Sequence, residues 1–132
     1  MSDEFYEPSF IATIELYLRR TLVLDIITQQ KYSVMFIIEL TYKVPTEEID
    51  ANMASHIAYL EKYYHSGHFL ASGRKEPRDG GLIFAKASGR KRLEEIIAED
   101  PFKKNGLADY RIIEFKATKK VKAYDAFAGE EE

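Results

Sequence analysis

The sequence predicts an α+β protein with the element order β-α-β-β-α-β. Strand-like runs of apolar residues, alternating or continuous, occur at residues 35–42, 69–75, 82–86 and 110–117. Residues 46–67 and 88–101 instead carry apolar residues at three- and four-residue spacing, as amphipathic helices do. With 132 residues and 45% hydrophobic content, the chain is long enough for one compact domain with a core.

The first helix is expected to begin shortly after the first strand. Thr46 is its expected N-cap, and Gly67 is a natural left-handed stop. Tyr59, Tyr63 and Tyr64 are expected to pack with their hydroxyl groups in water. The apolar side chains expected to face the sheet are Ile49, Met53, Ile57, Leu60 and Tyr64.

The remaining elements follow from turn and capping residues. An Asp-Gly-Gly turn at residues 79–81 joins the second and third strands, and an Asn-Gly turn at 105–106 precedes the last strand. Ser88 is the expected cap of the second helix, and Pro101 is expected to stop it. The apolar stripe of this helix consists of Leu93, Ile96 and Ile97.

Both ends of the chain lie outside this pattern. Residues 1–34 have apolar residues at helical spacing, so we expect an N-terminal helical extension. Because the β-α-β-β-α-β unit is complete without it, this extension should be peripheral, and Met35 is a candidate natural start. Residues 118–132 change from lysine-rich to acidic, as is typical of a flexible, partly ordered C-terminal tail.

The first strand carries large apolar residues on both faces. Phe36, Ile38 and Leu40 alternate with Met35 and Ile37, as in sheets that are covered on both sides. Two helices can cover only one face of a four-stranded sheet. The other face then needs a second copy of the chain or the N-terminal segment, and a homodimer is the simpler solution.

Composition restricts the classes of function. A net charge of −3 and a pI near 5.7 give no electrostatic reason to expect nucleic acid or an anionic membrane as partner. The chain has no cysteine, which excludes disulfides and thiolate chemistry. The first residues are acidic, unlike a secretory signal, and the apolar stretch 21–27 is too short to span a bilayer. A cytoplasmic location is the default expectation.

His56 and Asp100 are the candidate catalytic residues. His56 lies three residues after Met53 and four before Leu60, on the helix side expected to face the sheet. Asp100 ends the second helix before Pro101, where a carboxylate is unfavourable and another partner such as an imidazolium is favoured. A carboxylate that meets a histidine can hold one ring tautomer for proton transfer. The alternatives are a core-edge histidine bonded to a backbone carbonyl and a helix-terminating aspartate.

Three residues at the end of the second strand are candidates for substrate binding. Gly73 permits close approach of a ligand, and the Ser72 hydroxyl can bond a polar group. Arg74 can pair with a carboxylate. The alternatives are a bend at the strand end and a solvated surface arginine.

Histidines near the first helix also invite a metal-site interpretation. His65 and His68, with His56 as third ligand, would form the set. However, His65 and His68 flank Gly67, where histidines suit the helix dipole, and no acidic ligands accompany them. We therefore predict no metal.

The stretch from residue 35 to 117 resembles the YciI-like (YCII-related) family. The matching motifs are SHIAYL at residues 55–60, GHFLASG at 67–73, DPF at 100–102 and GL at 106–107. The resemblance implies a ferredoxin-like antiparallel sheet of the dimeric α+β-barrel superfamily, with a site formed by His56 and Asp100. Relatives in that superfamily include isomerases, monooxygenases and dehydrochlorinases that work without metal. Residues 1–34 have no counterpart in the family pattern.

Together these observations predict a small cofactor-independent enzyme. His56 would act as general base or acid, oriented by Asp100, in an isomerisation or elimination on a small polar or aromatic molecule. Ser72, Gly73 and Arg74 would bind the substrate. The alternatives are a non-catalytic small-ligand-binding or accessory dimeric module and a purely structural dimer.

Overall fold

The computed structural model describes residues 34–129, which contain a four-stranded antiparallel sheet. Its strands are β1 (Val34–Tyr42), β2 (Phe69–Arg74), β3 (Gly80–Ala87) and β4 (Ala108–Phe115), in the spatial order β2-β3-β1-β4. This arrangement confirms the predicted α+β class and ferredoxin-like topology. The predicted N-terminal helical extension lies outside the described residues, apart from Val34 in β1.

The helices are α1 (Thr46–Ala51), α2 (Met53–His65), α3 (Arg90–Ala98), α4 (Pro101–Lys104) and α5 (Lys122–Ala128). The prediction of one unbroken first helix was wrong, because Asn52 separates α1 from α2. The Asn52 side chain donates to the Glu48 carbonyl at 2.9 Å and accepts from Asn105 Nδ2 at 3.2 Å. Such side-chain bonds compete with the regular helical hydrogen bonds.

The break changes which face of the first helical region is buried. Ile49 is fully buried as predicted, but Ile57 is 46% exposed, so its predicted packing against the sheet was wrong. Tyr59 and Tyr63 are buried instead, 6% and 3% exposed. The predicted apolar stripe assumed one continuous helix across residue 52. Because the helix breaks there, α2 turns a different face to the sheet than a continuation of α1 would. The stripe of α3 was predicted correctly: Leu93, Ile96 and Ile97 are buried.

Helix ends differ from the predictions in two places. The first residue of α1 is Thr46, which follows Pro45, and α3 follows Gly89; neither helix has a side-chain cap. Thr46 and Ser88 are therefore not caps. The stop at Gly67 is confirmed, because this residue has φ 84°, in the left-handed region.

The two faces of the sheet differ in cover. Phe36, Ile38 and Leu40 belong to the buried core, whereas Phe84 and Phe115, on the opposite face, are 42% and 46% exposed. Helix α5, in the segment predicted as a flexible tail, contacts this second face where Lys86 Nζ donates to the Phe127 carbonyl. Within the described chain, no helix combines the length and apolar character needed to cross a membrane.

Candidate active site

His56 and Asp100 meet beneath α2. His56 lies in the first turn of α2, and Asp100 lies in the short connection between α3 and α4. His56 Nδ1 is 2.8 Å from Asp100 Oδ1, within the usual range of charge-assisted hydrogen bonds. The His56 side chain is 12% exposed and the Asp100 side chain is fully buried. The structure thus brings these two candidates into direct contact, and their catalytic role stays a prediction.

Asp100 lies between two helices and caps the second of them. It is the N-cap of α4, its Oδ1 accepts the Phe102 N–H at 3.0 Å, and Pro101 occupies the first turn. Asp100 follows Glu99, the C-cap of α3, as predicted, but its carboxylate serves the start of α4, where a negative charge is favourable. Aspartate before proline suits a helix start, because aspartate caps the free N–H groups and proline lacks the donor that would go unused.

Tyr110 completes the surroundings of the carboxylate. Its hydroxyl donates to Asp100 Oδ2 from β4, beside Leu40 of the core face. Burial, and then the negative charge of Asp100, raise the pKa of Tyr110 far above its ordinary value. The hydroxyl is therefore protonated and available as a donor at any physiological pH. Sequence reasoning missed Tyr110, since only tertiary structure brings β4 to this carboxylate.

Aromatic side chains fix the His56 ring. The Phe102 ring stacks on it with a centroid distance of 3.9 Å and an interplanar angle of 3°. Phe102 is itself 1% exposed, so it is anchored in the core. The same residue therefore positions both members of the pair, through its N–H to Asp100 and its ring against His56.

The hydrogen-bond pattern defines which nitrogen is available for chemistry. An ionised carboxylate only accepts hydrogen bonds, so His56 Nδ1 donates to Asp100 and a neutral ring keeps its lone pair on Nε2. Within residues 34–129, Nε2 has no hydrogen-bond partner. This arrangement can accept a proton at Nε2 while the ring remains held at Nδ1.

The three predicted substrate-binding residues are placed apart from this pair. They lie on β2, at the opposite sheet edge from β4. Ser72 Oγ is 2.6 Å from the Tyr64 hydroxyl, and Arg74 Nε donates to Glu76 at 3.0 Å. A Cβ at Gly73 would meet no atom within 4 Å, so packing does not demand glycine there. Their part in substrate binding stays a prediction.

The histidines considered for a metal site are engaged differently. His68 Nδ1 is 2.7 Å from Ser66 Oγ, and His56 Nδ1 binds Asp100. Among residues 34–129, no group of three or more histidine, aspartate or glutamate side chains is arranged to hold a metal ion.

A cavity of about 510 Å³ lies at the other end of β1 from the His56–Asp100 pair. Its lining includes Val34, Met35 and Phe115, together with residues of α5. It shares no lining residue with the pair. The candidate site is therefore defined by the free His56 Nε2, not by this cavity.

Tyr59, next to His56 in the aromatic cluster, has a buried hydroxyl with no hydrogen-bond partner among residues 34–129. Its predicted wet hydroxyl was wrong. Burial, and then the negative charge of Asp100, raise the pKa of Tyr59, so its buried hydroxyl stays neutral. Because an unsatisfied buried hydroxyl is costly, we expect Tyr59→Phe to raise the free energy of unfolding by about 1 kcal/mol.

Urea denaturation measures this change, and Tyr110→Phe is the matched control. Removing the Tyr110 hydroxyl leaves a buried carboxylate oxygen without its donor, so stability should fall by about 1–3 kcal/mol. Equal destabilisation by both variants would mean that the Tyr59 hydroxyl has a partner.

Comparison with known proteins adds sequence and structural relatives. A family model described as the YCII-related domain matches residues 35–116. No curated protein matches the chain at a significant level.

The solved structures that resemble the chain include two enzymes. One is 5-chloro-2-hydroxyhydroquinone dehydrochlorinase from Burkholderia phenoliruptrix AC1100, in complex with 2,5-dihydroxybenzoquinone. It is 20% identical, covers 62% of this chain and 93% of its own, and gives a TM-score of 0.55. The other is SnoaB, a cofactor-independent oxygenase from Streptomyces nogalater. It is 14% identical, covers 69% of this chain and 98% of its own, and gives a TM-score of 0.43. At these identities the first likeness is one of fold.

Proposed function

Because the chain belongs to the YCII-related family, we propose that it is a small cofactor-independent enzyme that transfers protons through His56 and Asp100. The observation that carries this proposal is the state of the His56 ring. A buried carboxylate holds Nδ1, an anchored phenyl ring holds one face, and Nε2 has no partner within residues 34–129. A histidine held in this way can act as a general base at one defined atom.

The proposed step begins when Nε2 takes a proton from a carbon or hydroxyl of the substrate. The electron pair of the broken bond forms a new double bond. In an elimination, a leaving group departs with its own electron pair; in an isomerisation, the imidazolium returns the proton to another atom. Asp100 stabilises the imidazolium through Nδ1. After an elimination, Nε2 gives its proton to the departing group or to water, so the ring returns to its neutral form.

We propose a hydroxylated aromatic or quinone-like molecule as the substrate class. The support is the 2,5-dihydroxybenzoquinone bound to the structurally similar dehydrochlorinase, whose ring is small, polar and unsaturated. Helix geometry separates His56 from Tyr64, the partner of Ser72, by about 12 Å, more than a single ring spans. We therefore propose Ser72, Gly73 and Arg74 as contacts for a substituent or longer substrate, outside the proton-transfer step.

The test is a thermal-shift screen of the full chain with 2,5-dihydroxybenzoquinone and related hydroxylated aromatics. Binding compounds are then incubated in D2O, where NMR detects deuterium entering the substrate or loss of a leaving group. We expect His56→Ala to reduce that rate at least about 100-fold. His65→Ala, a histidine at the exposed end of the same helix, is the matched control and should keep the rate.

Each outcome has a meaning for the proposal. Turnover that survives His56→Ala would overturn the assigned role of the histidine. Binding without turnover by any compound would favour the non-catalytic small-ligand-binding module. We also propose that the protein acts in the cytoplasm.

We also propose that two copies of the chain pair through the less covered sheet face. Phe84 and Phe115 are exposed there, and Ile37, Leu82 and Ile113 are only partly buried within the described part of the chain. Contiguous apolar surface of this kind is typical of an interface. Because the candidate site lies on the helix-covered face, pairing through the other face would leave it open.

A further inference from the structure

We propose that Tyr110 is a positioning residue that sets how strongly Asp100 acts on His56. The inference rests on the proposed function, because it assigns a third member to the same proton-transfer apparatus. Tyr110 does not contact the imidazole. It acts through the carboxylate, whose Oδ2 accepts its hydroxyl while Oδ1 accepts His56 Nδ1 and the Phe102 N–H.

Three donors surround the buried charge of Asp100. Asp100 is fully buried, so its negative charge is shared only among protein donors and not with bulk water. The Phe102 N–H is part of the backbone of α4 and cannot be withdrawn. The Tyr110 hydroxyl, in contrast, is a side-chain donor that a substitution can remove. Negative charge that it draws to Oδ2 is not available at Oδ1, so it weakens the hydrogen bond between Asp100 and the imidazole.

The position of Tyr110 suits this role. It projects from β4, so it ties the carboxylate of the α3–α4 connection to the sheet, while His56 reaches the carboxylate from α2. Lys103 Nζ lies 5.5 Å from the centroid of the Tyr110 ring, and a cation over the ring makes the phenol a stronger donor. The perturbed pKa of Tyr110 keeps this donor protonated.

Other charged and titratable groups near the pair do not replace this contact. Glu99 is paired with Lys62 at 2.6 Å, and the Tyr59 hydroxyl has no hydrogen bond to any group in the described part of the chain. Tyr59 and Tyr110 interact electrostatically with Asp100. Glu99 acts on Tyr59, whereas Tyr42 and Lys103 act on Tyr110.

The test compares Tyr110→Phe with the unchanged full chain by NMR of the His56 ring. If the Tyr110 hydroxyl lowers the negative charge available at Oδ1, removing that hydroxyl strengthens the Nδ1–H···Oδ1 bond. The Nδ1 proton should then move downfield, and His56 should gain its second proton at a higher pH. A merely structural role predicts the opposite: a loosened pair, a broadened or lost Nδ1 proton, and an unchanged or lower titration midpoint. That result would overturn the inference.

Two further comparisons sharpen the result. Tyr64→Phe removes the hydroxyl of another partly buried tyrosine, which is bonded to Ser72, and should move neither signal. In the Asp100→Asn background, Tyr110→Phe should no longer move the His56 midpoint, because the charge through which it acts is absent. A remaining shift in that background would contradict action through Asp100.

A measurement on the unchanged chain covers the case in which Tyr110→Phe does not fold. The Cζ signal of Tyr110 should move in step with the His56 ring signals as pH is lowered, and an immobile Cζ would overturn the inference. These readouts need no turnover. A failed substrate screen with the predicted NMR shifts would therefore reject the proposed function alone, and turnover without the shifts would reject only the role of Tyr110.

Discussion

Asp100→Asn is expected to lower kcat/KM for the proposed proton transfer by about 10²–10³-fold while the chain stays folded. The physical reason is the loss of the charge that stabilises the imidazolium as Nε2 accepts a proton. Breaking a buried ion pair costs about 3–5 kcal/mol, and each 1.36 kcal/mol in the transition state is tenfold in rate. Measured kinetics with the substrate from the screen give the factor directly.

The local hydrogen bonds predict how the asparagine would sit. The Oδ1 position receives two donors, the Phe102 N–H and His56 Nδ1–H, so the amide oxygen should occupy it and the amide NH2 should face Tyr110. The tautomer with the Nδ1 proton is then retained. The loss of rate should therefore reflect missing charge and not a reversed ring.

Asp109→Asn is the matched control. Asp109 is an exposed aspartate on β4 whose side chain pairs weakly with Lys43 at 3.6 Å. The rate of the Asp109→Asn variant should therefore match that of the unchanged chain. Asp100→Ala should behave differently from Asp100→Asn, because it leaves three buried donors without an acceptor. We expect it to lower stability by about 3–5 kcal/mol in urea denaturation. Unchanged kinetics in Asp100→Asn would remove the basis of the proposed mechanism.

The strands and the α3 stripe could be predicted because their signals are local. Alternation in β1 and the i, i+3, i+4 pattern of Leu93, Ile96 and Ile97 need no knowledge of other elements. The break at Asn52 could not be predicted, since it depends on Asn105, more than fifty residues later. The burial of the Tyr59 hydroxyl could not be predicted for the same reason, because it depends on the face that α2 turns to the sheet after the break.

The candidate site was predictable in part for the same reason. The family resemblance directed attention to His56 and Asp100, but no local pattern indicates that Tyr110 reaches the carboxylate from β4. The Asp-Pro sequence follows α3 and also begins α4, and the sequence does not predict this second helix because a one-turn helix leaves no periodic signal. Ser72 lies on β2, at the opposite sheet edge from β4, and its part in substrate binding stays a prediction.

Phe84→Lys is expected to convert the proposed homodimer into monomers. Phe84 lies on β3, in the interior of the sheet, opposite Ile37 of β1, and its ring is 42% exposed on the face proposed to pair. Burying an uncompensated ammonium group in an apolar interface costs several kcal/mol, which shifts the dissociation constant by several orders of magnitude. Light scattering at micromolar concentration should fall from about twice 15.3 kDa to 15.3 kDa.

Ile57→Lys separates a specific effect of the sheet face from a general loss of apolar surface. Ile57 is 46% exposed, nearly the same as Phe84, but it lies on α2 and not on the sheet. Lysine is a good helix former, so this variant should fold and remain a dimer. Dissociation by both variants would place the interface elsewhere, and a mass of 15.3 kDa for the unchanged chain would exclude the homodimer. If only Phe84→Lys dissociates, the face opposite the His56–Asp100 site is the one that pairs, and each copy keeps its own site on the helix-covered side.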